Sequence, residues 1–259
     1  MSTNFSYVDE LKLAIALTKS ITVSMMTKKP KIKVKHKDDG SPVTNVDILI
    51  DEILAGEIDR AFPADWIISE EAMNGLEATV ELPQGRCWVI DPIDGTPQLM
   101  SGLPGYAIMI GFYVDGLPQF GVIQAPELGT RYVGIPSIGR ATKNGKIITV
   151  NDINALERST ISLGGLYDND YLSTYLASEN IGATRLPVGD WWGHMLVAEG
   201  VCSAMVESDL RIWDWGAVYP IVLAAGGRMT AIAQENLEDK IPVVTTNRLV
   251  HKELIGLLC

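Results

Sequence analysis

Three apolar runs in this chain are bounded by carboxylates, and that pairing limits the possible folds more than any other feature. "WVIDPIDGT" (Trp88 to Thr96) carries a buried-strand pattern straight into Asp91, and Asp94 follows within the same turn-like segment. "WIISEE" runs in the same way into Glu70 and Glu71, and "RIWDWGAVYPIVLAAGG" sets Asp214 at the start of an apolar helix between two tryptophans. Acids at the ends of buried elements are costly unless a cation or a donor meets them, and strand ends are where α/β folds build their sites. Pro92 is expected to stiffen a turn after Asp91, and Gly95 and Thr96 to begin a helix. The free amides of such a helix would seat an anion beside acids that collect cations. Metal-assisted phosphoryl chemistry needs that arrangement. A lone Asp-x-x-Asp-Gly-Thr could instead be a turn and an ordinary N-cap. The two further acid-ended segments weaken that plainer alternative.

Composition narrows the class. Hydrophobic residues make up 47% of the 259 and charged residues 20%, too apolar for disorder and too charged for a membrane bundle. The formal net charge of −11 disfavours a nucleic-acid partner, since the chain repels phosphate backbones. Cys87, Cys202 and Cys259 stand at unrelated spacings, which encodes neither a disulfide framework nor a zinc ribbon. With only His36, His194 and His251 available, a metal here must be a hard cation held by oxygen. Asp9 and Glu10 interrupt the N-terminus, so no signal peptide is expected. The uncharged run Gly95 to Val114 has 20 residues, but its glycines and prolines read as turn, loop and buried strand rather than as a membrane span. A cytoplasmic protein without membrane contact is the expectation.

The patterning suggests a single unit of 259 residues with two subdomains, 1–150 of α+β character and 151–259 of alternating α/β character, sharing one cleft. Ser6 with Asp9 looks like a capping pair for a helix reaching about Met26. The segment "KIKVKHK" alternates, placing Lys31, Lys33, Lys35 and Lys37 on one face. A lysine-protected edge strand and a mobile basic flap over an anionic ligand both fit it. Thr44 opens a helix with the stripe Val46, Leu49, Ile50, Ile53, Leu54, Ile58 and Ala61. Asp115-Gly116 and Asn144-Gly145 signal hairpins. Beyond Asn151, strands are expected at Thr160–Leu163, Ser203–Val206 and Val243–Thr246. Helices are expected at Asn169–Ser178, Trp191–Ala198, Asp214–Ala225 and Arg248–Leu258.

Four ordered motifs then carry a resemblance over essentially the whole chain: "DGSPVTNVD" (Asp39 to Asp47), "SEE" (Ser69 to Glu71), "DPIDGT" (Asp91 to Thr96) and "WDWGA" (Trp213 to Ala217), followed by "AAGG" (Ala224 to Gly227). The chain resembles the inositol monophosphatase family of Mg²⁺-dependent, lithium-sensitive phosphatases. The resemblance implies a layered αβαβα sandwich, shared with the fructose-1,6-bisphosphatases, and two or three Mg²⁺ ions. It places the first ion on Glu70, Asp91 and the Ile93 carbonyl, and the second on Asp91, Asp94 and Asp214, with Glu70 near a weaker third. By the same carry-over Thr96, oriented by Asp47, helps water attack, and the Gly95 and Thr96 amides hold the phosphate. Asp47 also reads simply as the far end of a Thr44 capping pair. Pro97-Gln98-Leu99 departs from the family's usual Asn or Ser followed by Phe, Ser69 stands for a commoner Gly, and Gly216 stands where Ala is frequent.

Two stretches, "GVIQAPELGTRYVG" and "GDWWGHMLVAEG", look like the histidinol-phosphate phosphatases of this family. Gly189, Asp190 and Glu207 fall where the family places substrate contacts. Two carboxylates beside the leaving group suit a cationic amino alcohol better than a neutral polyol. Asp190 could instead only cap the helix at Trp191. The expected function is therefore phosphomonoester hydrolysis of a small molecule, histidinol phosphate in histidine biosynthesis, with inositol, sugar or nucleotide-derived phosphates as alternatives. A non-catalytic metal- or phosphate-binding relative is the reading from another class. The complete set Glu70, Asp91, Asp94, Thr96 and Asp214 argues against it. The resemblance also implies a homodimer.

Overall fold

The computed structural model describes residues 5–37, 40–73, 82–164, 184–232 and 241–258, and the expected helix Asn169–Ser178 lies outside them. In chain order the first half contains α1 (Val8–Lys28), β1 (Val34–His36), β2 (Pro42–Thr44), α2 (Asn45–Ala61), β3 (Trp66–Ser69), β4 (Arg86–Asp94) and α3 (Thr96–Met100). It continues through β5 (Ala107–Val114), β6 (Leu117–Ala125), β7 (Thr130–Ile135), β8 (Arg140–Lys143) and β9 (Lys146–Ile148). The second half contains β10 (Thr160–Gly164), β11 (Thr184–Leu186), α4 (Asp190–Ala198), β12 (Ala204–Leu210), α5 (Ile212–Gly216) and α6 (Val218–Ala224). It ends with β13 (Arg228–Ala231), β14 (Ile241–Thr246) and α7 (His251–Leu258).

Strands β3 to β9 form one sheet in sequence order, parallel only at β3/β4. The other large sheet runs β11-β10-β12-β14-β13, parallel at its β11-β10-β12 side. Helices α1 and α2 pack on one face of the first sheet around Trp88, Phe112 and Phe120. Helices α4 and α6 fill the space on its other face through Trp191, Met195, Val218 and Ile221. Helix α7 closes the second sheet through Val250 and Leu254. The result is a layered α/β arrangement of two sheets and three helical layers. Both hairpin signals are realised with left-handed pairs, Asp115 (φ 51) with Gly116 (φ 76) and Asn144 (φ 48) with Gly145 (φ 79), as the strand twist requires.

Several local expectations are corrected. Helix α1 starts after Tyr7 with no side-chain cap, and Asp9 pairs instead with Lys12 at 3.1 Å on the surface. In α2, Leu49 and Ile53 are exposed, while Asp47 and Asp51 turn inwards with Val46, Ile50, Leu54 and Ile58. The strand through Trp88 does not stop at Asp91. It continues to Asp94 with a shift in register, Asp91 facing Met109 and Asp94 facing Ala107. Pro92, which lacks an N–H, sits in that shift, where a ladder donor is not needed.

The expected Asp214–Ala225 helix is two pieces joined at Ala217. Pro220 cannot donate to the carbonyl of Gly216, and the Tyr113 hydroxyl donates to that carbonyl instead, at 2.8 Å. Glycines on three adjacent strands make the close approach possible. A Cβ at Gly111 would overlap the Gly216 carbonyl, one at Gly121 the Ala217 carbonyl, and one at Gly134 the Ile221 backbone. Gly216 is itself pressed on Val89, so the family's commoner Ala would not fit without a shift. These contacts fix Asp214 against the end of β4.

Candidate active site

The site is built from the end of β4 outward. Asp91, Ile93, Asp94 and Thr96 are all buried, and Asp47 reaches them from the first turn of α2. Side chains three apart on a regular strand face opposite sides, and the extra residue between Asp91 and Asp94 corrects that parity. Gly95 holds φ +86, and a Cβ there would lie 3.1 Å from the Gly105 carbonyl oxygen. The helix that follows is short, and Pro97 lies in its first turn.

Asp47 serves two partners at once. One oxygen accepts the Thr44 backbone N–H at 3.2 Å and the Thr44 hydroxyl, closing the cap of α2. The other accepts the Thr96 hydroxyl at 2.8 Å. The cap therefore orients the carboxylate that orients Thr96. Both readings of Asp47 made from the sequence are geometrically present together.

On the opposite side, the start of α4 gathers the remaining acids. Asp190 adopts φ +55, and its N–H donates to Glu207 Oε2 at 2.9 Å. The next N–H, of Trp191, donates to Asp94 Oδ2 at 2.9 Å. Gln98 Nε2 donates to Asp190 Oδ2 at 2.7 Å. Glu207 is buried in a niche lined by glycine: a Cβ at Gly189 would lie 3.1 Å from Glu207 Oε1, and one at Gly164 would overlap the carboxylate. Asp214 Oδ2 accepts the Arg211 N–H at 2.6 Å. His194, one turn beyond Asp190, is buried with Nδ1 2.8 Å from Thr245 Oγ1. Burial pushes its imidazole down to about 3, so it is neutral.

Charge accumulates across this corner. Burial, then Glu70, Asp94, Asp214 and Asp47, hold Asp91 well above the usual carboxylate range. Burial, then Asp190 and Asp214, do the same to Asp94. Burial lifts Asp214 to about 8 against the Arg211 N–H. Lys37 supplies a cation at the far edge, with Nζ 2.7 Å from Glu70 and 3.0 Å from Glu71. Even so, burial outweighs the lysine, and Glu71 stands at about 7.

The donor set fits a hard divalent cation. It is all oxygen, it is mutually repulsive, and Asp91 Oδ1 is buried with no hydrogen-bond partner among the described residues. Among those residues no three of the acids converge closely enough to share an ion as they stand. Lys37 lies on Glu70, and amides of Trp191 and Arg211 take oxygens of Asp94 and Asp214.

The structure thus brings Asp47, Asp91, Ile93, Asp94, Gly95 and Thr96 to one corner. Hydrogen bonds tie Asp190 and Glu207 to it, Gly189 packs against the Glu207 carboxylate, and Glu70 and Asp214 act on Asp91 through their charge. Two participants were not expected from the sequence. Lys37 was visible only as the last member of an alternating lysine series, and Gln98 only as a departure from a family pattern.

The model of the inositol monophosphatase family matches residues 6–259. The histidinol-phosphatase of Streptomyces coelicolor is 31% identical over 266 residues, covering 97% of each chain. That of Chlorobaculum parvum is 31% identical over 257 residues, covering 95% of each. Among solved structures, an IMPase/NADP phosphatase complexed with Mg²⁺ and phosphate superposes with a TM-score of 0.81 at 23% identity, covering 96% of this chain and 95% of the other.

Proposed function

Since the chain belongs to the inositol monophosphatase family and is therefore a phosphoric monoester hydrolase, we propose that its substrate is histidinol phosphate, cleaved to histidinol and phosphate. The observation that carries this reading is the Asp190–Glu207 pair, two carboxylates joined through one N–H beyond the acid corner. A leaving group carrying an ammonium would pair with them, whereas a neutral polyol would not use their charge. The histidinol-phosphatases that resemble the chain over 95–97% of its length point the same way.

Glu70, Asp91, Asp94, Asp214 and the Ile93 carbonyl would hold Mg²⁺, two or three ions in all. Bound Mg²⁺ supplies charge neutralisation for the phosphate and lowers the pKa of water. The chain's own groups do the rest. The Thr96 hydroxyl donates to Asp47, so its oxygen is left to accept a proton from a water. As that water loses a proton to Oγ1, Thr96 can pass its own proton to Asp47, and Glu70 stands by as a second acceptor. The Gly95 and Thr96 amides, at the turn that opens with Gly95 at φ +86, would hold the phosphate oxygens. Water adds to phosphorus as the ester P–O bond breaks, and the leaving alkoxide takes up, through solvent, the proton that Asp47 received, so that it departs as the alcohol. A homodimer and lithium inhibition accompany this proposal as what the family resemblance implies, and a cytoplasmic location as what the sequence pattern suggests.

A panel of phosphate esters, with phosphate release as the readout, tests the substrate. Histidinol phosphate should give the highest kcat/KM. A higher value for inositol 1-phosphate, a sugar phosphate or a nucleotide-derived phosphate would replace the reading with that ester.

A further inference from the structure

Gln98 lies in the segment that departs from the family pattern, and its backbone is fixed at both ends. Its N–H donates to the Gly95 carbonyl at 3.0 Å, and its carbonyl accepts from Leu103 at 2.9 Å. It thus belongs to the same turn that carries Gly95 and Thr96. The side chain crosses over Gly105, where a Cβ would lie 3.3 Å from Gln98 Cγ, and ends on Asp190 at 2.7 Å. The amide orientation follows from its partner, because the opposite flip would set an amide oxygen against a carboxylate oxygen. The other end of the amide, Oε1, is buried without a hydrogen-bond partner among the described residues. An unmade bond of that kind is costly, so the contact to Asp190 is retained at the expense of the oxygen.

The chemistry of the donor matters. Asp190 already has its backbone fixed, with φ +55 and its N–H on Glu207. A lysine or arginine from the Gln98 position would fix the side chain too, but it would cancel the charge. A neutral amide orients the carboxylate and leaves the charge to be used. We propose that Gln98 is a specificity-determining positioning residue: it links the phosphate-seating turn to Asp190 and holds that carboxyl group in place for the cationic part of the leaving group. This rests on the histidinol phosphate reading for the identity of the cation. The mechanical link between Gln98 and Asp190 does not depend on it.

The test compares wild type, Gln98→Met, Asp190→Asn and the double variant on histidinol phosphate and inositol 1-phosphate, each with saturating Mg²⁺. A hydrogen bond to a charged group is worth roughly a tenfold change or more. Gln98→Met should raise KM for histidinol phosphate about tenfold while kcat moves less than twofold, with little change on inositol 1-phosphate. The double variant should be no worse than Asp190→Asn alone, because Gln98 acts through Asp190. Losses that multiply in the double variant, or kcat falling equally on both esters, would overturn the link and leave Gln98 as a packing residue of its turn. No change in KM would overturn it as well. If wild type prefers another ester, the substrate reading fails, and the same four proteins on that ester still decide the link by their non-additivity. Melting temperatures report folding, and Gln98→Asn, which keeps the amide on a shorter arm, replaces the Met variant if it does not fold.

Discussion

The two sides of the acid corner hold their charge by different means. At the β3 side, Glu70 and Glu71 meet an ammonium carried on a long side chain from just beyond β1. At the α4 side, Asp94 and Glu207 meet backbone amides of Trp191 and Asp190, and Asp190 meets the amide of Gln98. A lysine side chain can be displaced by another cation, whereas main-chain donors in a helix start cannot leave. The β3 side is thus built to exchange its partner and the α4 side to keep its geometry. Between them Asp91 Oδ1 is buried without a hydrogen-bond partner among the described residues, the point where neither device reaches.

The strongest way to break this comparison is to remove charge from the middle of the corner. Asp94→Asn and Asp214→Asn should each lower kcat by about a thousandfold or more on every ester tested, with the far-ultraviolet circular dichroism unchanged. Near-normal turnover in either variant would mean that these acids are not the working part. A smaller effect is expected one step away. Thr96→Ala removes the hydroxyl that Asp47 orients and should cost about a hundredfold in kcat, the scale of a lost proton relay. Thr96→Ser should restore most of it, since it returns the hydroxyl to the same turn.

The β3 side makes a subtler prediction, in metal binding rather than rate. If Lys37 competes with the incoming cation for Glu70, Lys37→Met should tighten Mg²⁺ binding about five- to tenfold by calorimetric titration, since ~1 kcal/mol of partly buried ion pairing no longer has to be given up. Unchanged or weaker binding would show that the lysine is no competitor and that the two sides do not differ in the way described.

How much of this was legible in the sequence follows from what each feature depends on. Asp94, Glu70 and Asp214 stood out because they sit at or beside the ends of buried elements, and Asp91 because an acid three residues before such an end, inside an apolar run, has few ordinary explanations. The Thr44–Asp47 cap was readable because capping is local. The break at Ala217 was not foreseen, although Pro220 was in plain view, because it depends on Tyr113 arriving from another strand to take the Gly216 carbonyl. The continuation of β4 through Pro92 likewise depends on a partner strand that tolerates a shifted register. Lys37 and Gln98 stayed hidden for the same reason. Their partners lie 33 and 92 positions away, and nothing local announces such a pairing.

The smallest expected effect concerns stability, and its sign separates the two sides again. Asp91 and Asp94 are raised in the folded protein by burial first, then by neighbouring charge, and Asp214 stands at about 8 against an ordinary carboxylate near 4. A raised carboxylate binds its proton more tightly folded than unfolded. Its contribution to stability is therefore fully present below the unfolded value and is lost as pH rises through the folded one. For the metal-free protein this predicts a melting temperature that falls by several degrees between about pH 5 and pH 9, since ~1 kcal/mol moves a domain of this size by roughly 2–4 °C. Saturating Mg²⁺ should stabilise most at the alkaline end, where it meets ionised acids, and little near pH 5, where it must displace protons. Asp214→Asn should flatten the metal-free slope, because it removes one of the groups that charges up. Gln98→Met should steepen that slope slightly, since Asp190 keeps its carboxyl but loses the amide that favours its charged form. A metal-free protein whose melting temperature rises steadily across this range would contradict the charge cluster itself, and with it the division between an exchangeable and a permanent side.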